Sequence, residues 1–238
     1  MFLRAFDSLP EEFKNDTVRV IYEKLKKRKI SRILKRAFDV VVSLVVLIIL
    51  LIPMGIIALA IAADSRGGVF FCQRRVTTFG KEFKIYKFRT MVKNAESIGA
   101  SVTTDGDARI TKVGRFLRKY RLDEFPQLIN ILKGDMSFVG TRPEVPKYVS
   151  AYTPQMYATL LLPAGITSLA SIRYKDEERL ISASSDADKT YIEEILPEKM
   201  KFNLEYMENF SFFGDIKLMF MTFFAVIAPE NENTGVEI

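Results

Sequence analysis

VVVSLVVLIILLIPMGIIALAIAA, residues 40–63, is an unbroken run without a charge, bounded by Asp39 and Asp64. An apolar run of about 18 residues or more is long enough to cross the hydrocarbon core of a bilayer. It is too long and starts too late for a cleavable leader. A buried core helix is the bland alternative, and at this length and apolarity the membrane is the better solvent. Two features argue against a simple span. Pro53 sits near the middle with Gly55 behind it, and a proline removes a backbone hydrogen bond and kinks a helix. The flanks are also basic on both sides: eight Lys and Arg between Lys24 and Arg36, seven between Arg66 and Arg89. A spanning helix concentrates positive residues at its cytoplasmic end, and this segment shows no such bias. The expectation is a re-entrant hairpin over 37–64 that enters the membrane, bends at Pro53 and leaves on the same face.

Two further stretches have interfacial character. Residues 18–36 (VRVIYEKLKKRKISRILKR) are basic and partly amphipathic, suited to anionic lipid. Residues 212–228 (FFGDIKLMFMTFFAVIA) are rich in Phe and Met and fit either a core helix or a membrane-surface helix. The composition agrees: 48% of residues are hydrophobic, and the net charge of +6 calls for an anionic partner. The absence of histidine removes imidazole catalysis, Ser-His and Cys-His dyads and His-rich zinc sites. A single cysteine, Cys72, excludes an internal disulfide and fits a reducing compartment. Chemistry must then rest on carboxylates, lysines, arginines, tyrosines or an oxygen-liganded metal.

Residues 66–92 read as a β-hairpin, with strand character at Val69–Phe71 and Phe83–Phe88 and a turn around Phe79-Gly80-Lys81. Residues 93–109 are polar and Thr103–Asp107 reads as a loop; it opens like a calcium loop but lacks the later ligands. Residues 110–133 carry helical spacing, closed by Gly134 as C-cap. RLDEFPQL (121–128) interrupts them, with Pro126 in the first turn of a new helix. Asp123 and Glu124 then have two readings. They are an N-cap and a favourable first-turn charge, or they are carboxylates placed among Arg115, Arg118, Lys119 and Arg121 to hold a magnesium ion against phosphate. GDMSFVGTRPEVP (134–146) presents Arg142 on a loop, the acidic stretch 176–205 reads as surface helices with a loop at SASSDADK, and 229–238 reads as a disordered tail.

KIYKFRTM (84–91), DARITKVGRFLRKYRLDEFPQLINILKGDMSFVGTRPE (107–144) and LEYMENFSFFGDIKLMF (204–220), behind a proline-broken apolar segment, resemble the bacterial sugar transferases. These are monotopic polyprenyl-phosphate phosphoglycosyl transferases. The resemblance covers about residues 32–228 and, with only a short stretch before it, implies a small-type member. It implies transfer of a sugar 1-phosphate from a nucleotide sugar, uridine being the family expectation, to polyprenyl phosphate at the cytoplasmic face of the bacterial inner membrane. By motif match Asp123 is the nucleophile, forming an aspartyl phosphosugar, and Glu124 helps bind Mg2+ with Asp123. Arg118 orients acid and phosphate, Arg142 holds the nucleotide, Lys87 and Arg89 are basic substrate-binding positions, and Pro53 breaks the membrane helix. The chain departs from the family at Ile52-Pro53 (Ser-Pro in many members), at Thr141-Arg142-Pro143 (Pro-Arg-Pro) and at Leu162–Ser168, which lacks an arginine; residues 173–200 are also divergent.

The expected fold class is α+β, predominantly helical: a basic amphipathic region (1–36), the re-entrant membrane helix hairpin (37–64), a cytoplasmic catalytic domain (65–228) with a small β-hairpin and interfacial amphipathic helices, and a flexible tail (229–238). The expected partners are the nucleotide-sugar donor, polyprenyl phosphate and membrane lipids, with no nucleic acid; a homodimer stays open. A ternary-complex mechanism with Asp123 as a metal ligand only, and a non-catalytic scaffold binding anionic lipid, remain alternatives.

Overall fold

The computed structural model describes residues 3–95, 107–174, 177, 180–181, 184 and 186–227. The turn expected at 103–106, part of the 182–189 loop and the tail 229–238 lie outside them.

Helix α1 (Asp16–Lys27) starts at Asn15, whose side chain accepts a hydrogen bond from Val18 N and satisfies a first-turn donor. Its apolar residues Val18, Ile21, Tyr22 and Leu25 recur on one helical face and are buried. They share a core with Leu9, Phe13, Leu160, Leu161 and Phe210, so this face is covered by protein and not by lipid. That differs from the lipid-lying helix expected here. The spacing revealed an apolar stripe but not which partner covers it; Lys24, Lys26 and Lys27 stay exposed on the other side.

Helix α2 (Lys29–Asp64) is a single helix with Pro53 inside it. The break anticipated at Pro53 does not divide the helix, because a proline deletes one ladder hydrogen bond and bends the axis without requiring termination. It is long and apolar enough to cross a membrane, and its most apolar stretch is almost wholly unburied. Ile48, Ile49, Leu51, Ile52, Ile56 and Leu59 are 63–76% exposed, an apolar surface with no counterpart in a soluble core helix.

Both ends of this apolar stretch are fastened to the same folded body. At the first end, Arg36 donates to the carbonyls of Ile131 (2.6 Å) and Leu132 (3.0 Å), and the Asp39 carboxylate accepts from Ser137 Oγ (3.0 Å) and Phe138 N (3.2 Å). At the far end, Asp64 accepts from Val113 N at 3.0 Å.

Strands β1 (Phe70–Val76) and β2 (Glu82–Phe88) form the antiparallel hairpin the sequence predicts, paired from Phe70↔Phe88 to Val76↔Glu82. Its turn is left-handed at Phe79 and Gly80. Helices α3 (Lys112–Lys119) and α4 (Gln127–Lys133) follow, and Gly134, at φ 84°, closes α4 as expected. Strand β3 (Met136–Val139) then pairs in parallel with β4 (Ala164–Thr167), a pairing the sequence did not disclose. Gly165 permits it: a Cβ there would stand 2.2 Å from Gly140 N. The short helices α5 (Pro146–Val149), α6 (Leu169–Arg173) and α7 (Ala187–Thr190) lead through a π turn at Tyr191–Ile195 into α8 (Leu196–Asn209). Helix α9 (Phe212–Ile227) closes the described chain, with Asp215 buried and Phe213, Phe220, Phe223 and Phe224 exposed, so it serves core and apolar surface at once.

A buried ion pair joins α2 to α9. Lys35 Nζ donates to Asp215 Oδ2 (2.6 Å) and Val139 O (2.7 Å), and Tyr206 OH donates to Asp215 Oδ1 (2.9 Å). Breaking such a pair from one side leaves a buried charge without its partner. We expect Lys35→Met to lower stability in nanodiscs by about 3–5 kcal/mol, and Lys35→Met with Asp215→Leu to recover much of it. Equal losses in single and double variants would refute this account of the pair.

Candidate active site

The elements around RLDEFPQL are set by three local devices. Thr111 caps α3, its Oγ1 accepting from Gly114 N at 3.0 Å. Gly114 lies so close to the end of β2 that a Cβ would stand 2.0 Å from Thr90 O; α3 reaches this position only with glycine. Asn130, fully buried in α4, accepts from Tyr86 N (3.0 Å) and donates to Lys84 O (2.8 Å), satisfying the free edge of β2. The hairpin, α3 and α4 are thereby locked around the turn between the two helices.

That turn is a single 3-10 turn, Leu122–Glu124, entered through Arg121 in the left-handed region (φ 55°). A non-glycine residue held there stores strain, and such residues cluster at functional sites. Neither acid caps a helix: the turn has no side-chain cap and Pro126 itself occupies the N-cap position of α4. The capping role weighed for Asp123 is therefore absent from the structure, because the chain turns once more before α4 begins. Both carboxylates are buried, with 7% of Asp123 and 9% of Glu124 exposed.

Glu124 Oε1 accepts from Lys87 Nζ at 2.8 Å and lies 3.5 Å from Arg142 Nη2. Among the described residues the Asp123 carboxylate makes no hydrogen bond. It lies in the fields of Lys87, Arg118 and Arg121. Burial pushes Asp123 above the usual carboxylate range, Lys87 pulling it back and Glu124 pushing it further up. Burial acts on Glu124 in the same sense but is outweighed by Arg142 and Lys87, which bring it down to about 2. Two adjacent acids are thus driven apart, as in sites that assign different roles to neighbouring carboxylates.

The turn opens on a cleft of about 1570 Å3 lined, among the described residues, by thirteen Lys and Arg side chains and three carboxylates, Asp107, Asp123 and Glu124. It exceeds the ~300–1,000 Å3 of ordinary small-ligand sites, and its charge favours a polyanion. Lys87, Arg118, Asp123, Glu124 and Arg142 all face it. Arg118 is fixed by its Nε on Thr90 Oγ1 at 2.9 Å. Arg89 also lines it, but its guanidinium is turned to the end of α2, donating to Ser65 O (2.7 Å), Ser65 Oγ (3.0 Å) and Arg66 O (3.1 Å). Its hydrogen bonds place Arg89 as the clamp between the cleft wall and α2, apart from the five convergent residues. Sequence reasoning missed Thr90, Asn130 and Arg75, which donates to Pro143 O at 2.9 Å behind Arg142. A readable signal existed for Asn130 alone: an amide inside an apolar helical stripe demands buried partners.

Among the described residues no cluster of three or more acids or cysteines forms a metal cage. The two carboxylates suit magnesium all the same, since that ion takes one or two of them and fills its remaining positions with water and phosphate.

The depressed Glu124 also contributes to stability. Its contribution is present above the ordinary value of 4.5 and is lost as pH falls toward 2, on the order of 3 kcal/mol in total. We expect the acid-induced fall in stability between pH 5 and 2 to be shallower in Glu124→Gln, read by denaturation in nanodiscs; an unchanged profile would contradict the pairing.

A sequence model of the bacterial sugar transferase family matches residues 30–229. The chain is 36% identical over 193 residues to a UDP-N-acetylgalactosamine-undecaprenyl-phosphate N-acetylgalactosaminephosphotransferase of Aeromonas hydrophila, covering 79% of this chain and 42% of that protein. It is 35% identical over 199 residues to a UDP-glucose:undecaprenyl-phosphate glucose-1-phosphate transferase of Escherichia coli K12, covering 82% and 40%. The chain thus spans about two fifths of the length of these relatives. Against the uncharacterized sugar transferase EpsL of Bacillus subtilis the identity is 34%, over 83% of this chain and 89% of that protein. On the extent of the family match and these identities, the chain belongs to the bacterial sugar transferase family.

Proposed function

We propose that this chain transfers a sugar 1-phosphate from a nucleoside-diphosphate sugar, a UDP-sugar by family expectation, to polyprenyl phosphate, as a first membrane step of glycan assembly. The observation that carries the reading is the pair Asp123 and Glu124, adjacent and buried yet driven to opposite pKa shifts, at the floor of a strongly cationic cleft. The Aeromonas hydrophila and Escherichia coli relatives named above are sugar-phosphate transferases acting on undecaprenyl phosphate.

A carboxylate approaches a diphosphate against like-charge repulsion. Arg118, Arg121 and Lys87 surround Asp123 and lower that barrier, while Arg142 binds the phosphates from the opposite loop. Asp123 carries the freer carboxylate and is the nucleophile; Glu124, held by Lys87 and Arg142, is the fixed anion. An Asp123 oxygen attacks the sugar-linked phosphorus. The phosphoanhydride bond breaks and its electron pair leaves on the nucleoside monophosphate, giving an aspartyl phosphosugar. A polyprenyl phosphate oxygen then attacks the same phosphorus and the carboxylate departs, regenerating Asp123. Magnesium on Glu124 and Asp123 would neutralise diphosphate charge during donor binding and departure.

The same face of the membrane serves both substrates. Asp39 and Asp64, which bound the apolar run, both bond to one folded body. A straight 24-residue crossing would part them by roughly 35 Å, on opposite sides of the bilayer. Re-entrance reconciles the two, with the body on the cytoplasmic face of the inner membrane and α9 and the exposed face of α2 in lipid. Single cysteines at Lys29 and Ser65, in a Cys72→Ser background, should both be labelled by an impermeant reagent from the cytoplasmic side only. Labelling of one from the far side would refute re-entrance.

Purified protein in nanodiscs with magnesium and a panel of UDP-sugars should acquire a sugar-phosphate adduct and release UMP without acceptor, and Asp123→Asn should do neither. UMP released only after polyprenyl phosphate is added would favour a ternary complex; none under either condition would favour a scaffold. Attack needs an ionised Asp123, so activity falls as pH drops through its raised pKa. Glu124→Gln, though slower, should keep that acid limb, since the ordinary Glu124 is already ionised there. An acid limb that disappears in Glu124→Gln would reverse the two assignments.

A further inference from the structure

Three polar side chains buried behind the Arg142 loop have no part in the transfer itself. Glu144, Tyr191 and Lys199 are each 4–5% exposed. Lys199 Nζ donates to Tyr191 OH (2.8 Å) and pairs with Glu177 Oε2 (3.2 Å) and Glu144 Oε1 (3.4 Å). Tyr191 OH donates in turn to Glu144 Oε1 at 2.6 Å. The Tyr191 ring stacks on Tyr148 with centroids 4.2 Å apart, and Lys199 lies over its face at 4.9 Å. Burying an ammonium and a carboxylate is costly, and a network of this kind persists only when nearly every member is satisfied.

Glu144 follows Arg142 by two residues. The backbone between them is clamped from the other side by β1: Arg75 donates to Pro143 O (2.9 Å) and Val76 N to Glu144 O (2.9 Å). Arg142, by contrast, has one polar side-chain contact among the described residues, the 3.5 Å approach to Glu124, and its side chain is 37% exposed. Its position is therefore dictated by the loop backbone. The loop in turn is held between the hairpin, through Arg75 and Val76, and the π turn and α8, whose Tyr191 and Lys199 bond to Glu144 of the loop. Thr141, just before Arg142, has no ring to fix its own backbone, so the loop's support there comes from the hairpin and the buried network.

We propose that Glu144, Tyr191 and Lys199 are positioning residues that lock the loop and so present Arg142 to Glu124 and to the donor diphosphate. The proposal rests on the transfer reading above.

Tyr191→Phe tests it, because the ring stack survives and only the bridging hydroxyl is lost. In nanodiscs with magnesium, UDP affinity by calorimetry should fall about tenfold and donor KM should rise alike. Acceptor KM should stay constant, and the melting temperature should drop by only about 2–4 °C. In an Arg142→Ala background the same change should alter UDP affinity less than about twofold, since the group it aims is gone. Glu144→Gln, which keeps an acceptor for Tyr191, should lie between Tyr191→Phe and the wild type. An undiminished loss in the Arg142→Ala background, or a parallel rise in acceptor KM, would mean the network supports the body and not the arginine. An unchanged Tyr191→Phe overturns the inference alone, whereas a wild type that binds no UDP overturns the functional reading and this one with it.

Discussion

One buried ammonium governs how the long apolar helix meets the rest of the chain. Lys35 sits four residues before Asp39, which bounds the apolar run, and its three protons have a carboxylate and a backbone carbonyl in reach. Its partners come from β3 and α9, and Tyr206 of α8 completes the carboxylate's shell. In hydrocarbon or in a dry core such a charge is tolerable only when paired. The pair therefore fixes the depth at which α2 leaves the folded body. With Asp64 tied to α3 at the other end, the apolar stretch is a helix pinned to the folded body at both ends.

The cleft follows from that pinning. Arg89 grips the carbonyls at the far foot of α2, so β2 and the Lys87 it carries are held against the membrane element. Asn130 then fastens α4 to the same strand, which brings Glu124 within 2.8 Å of Lys87. Each acid occupies a different balance between burial and neighbouring cations. Glu124 has two close cations and stays charged; Asp123 has more distant ones and rises. The difference is geometric, since the two residues are neighbours in sequence and equally buried.

Much of this was legible before any coordinates. The hairpin, the two helices around RLDEFPQL and the Gly134 cap are written in local periodicity and turn chemistry, which act over a few residues. The parallel pairing of β3 with β4 was not, because it depends on a close approach of Gly140 and Gly165, far apart in the chain. The apolar stripe of α1 was visible, yet the choice between lipid and protein as its cover is a tertiary fact. The same holds at the site. Lys87, Arg118, Asp123, Glu124 and Arg142 were named from motifs and do share one cleft. Arg89, two residues from Lys87, turns its guanidinium elsewhere for a reason no spacing discloses: the open carbonyls at the end of α2 need donors.

The segment ahead of α2 carries a consequence of its own. The family match begins at residue 30, but the packed core begins earlier. Leu9, Phe13, Val18, Ile21 and Leu25 are at most 3% exposed and share their core with Leu161, Met207 and Phe210. Asn15 ties this segment onward by donating to Pro154 O at 2.9 Å. The family match and the folded core thus have different borders. A domain excised along the line of homology would be a body with one wall missing, its apolar interior open to solvent or to a second such body. Exchanging modules between relatives has to respect the seam along α1 and not the one that sequence comparison marks.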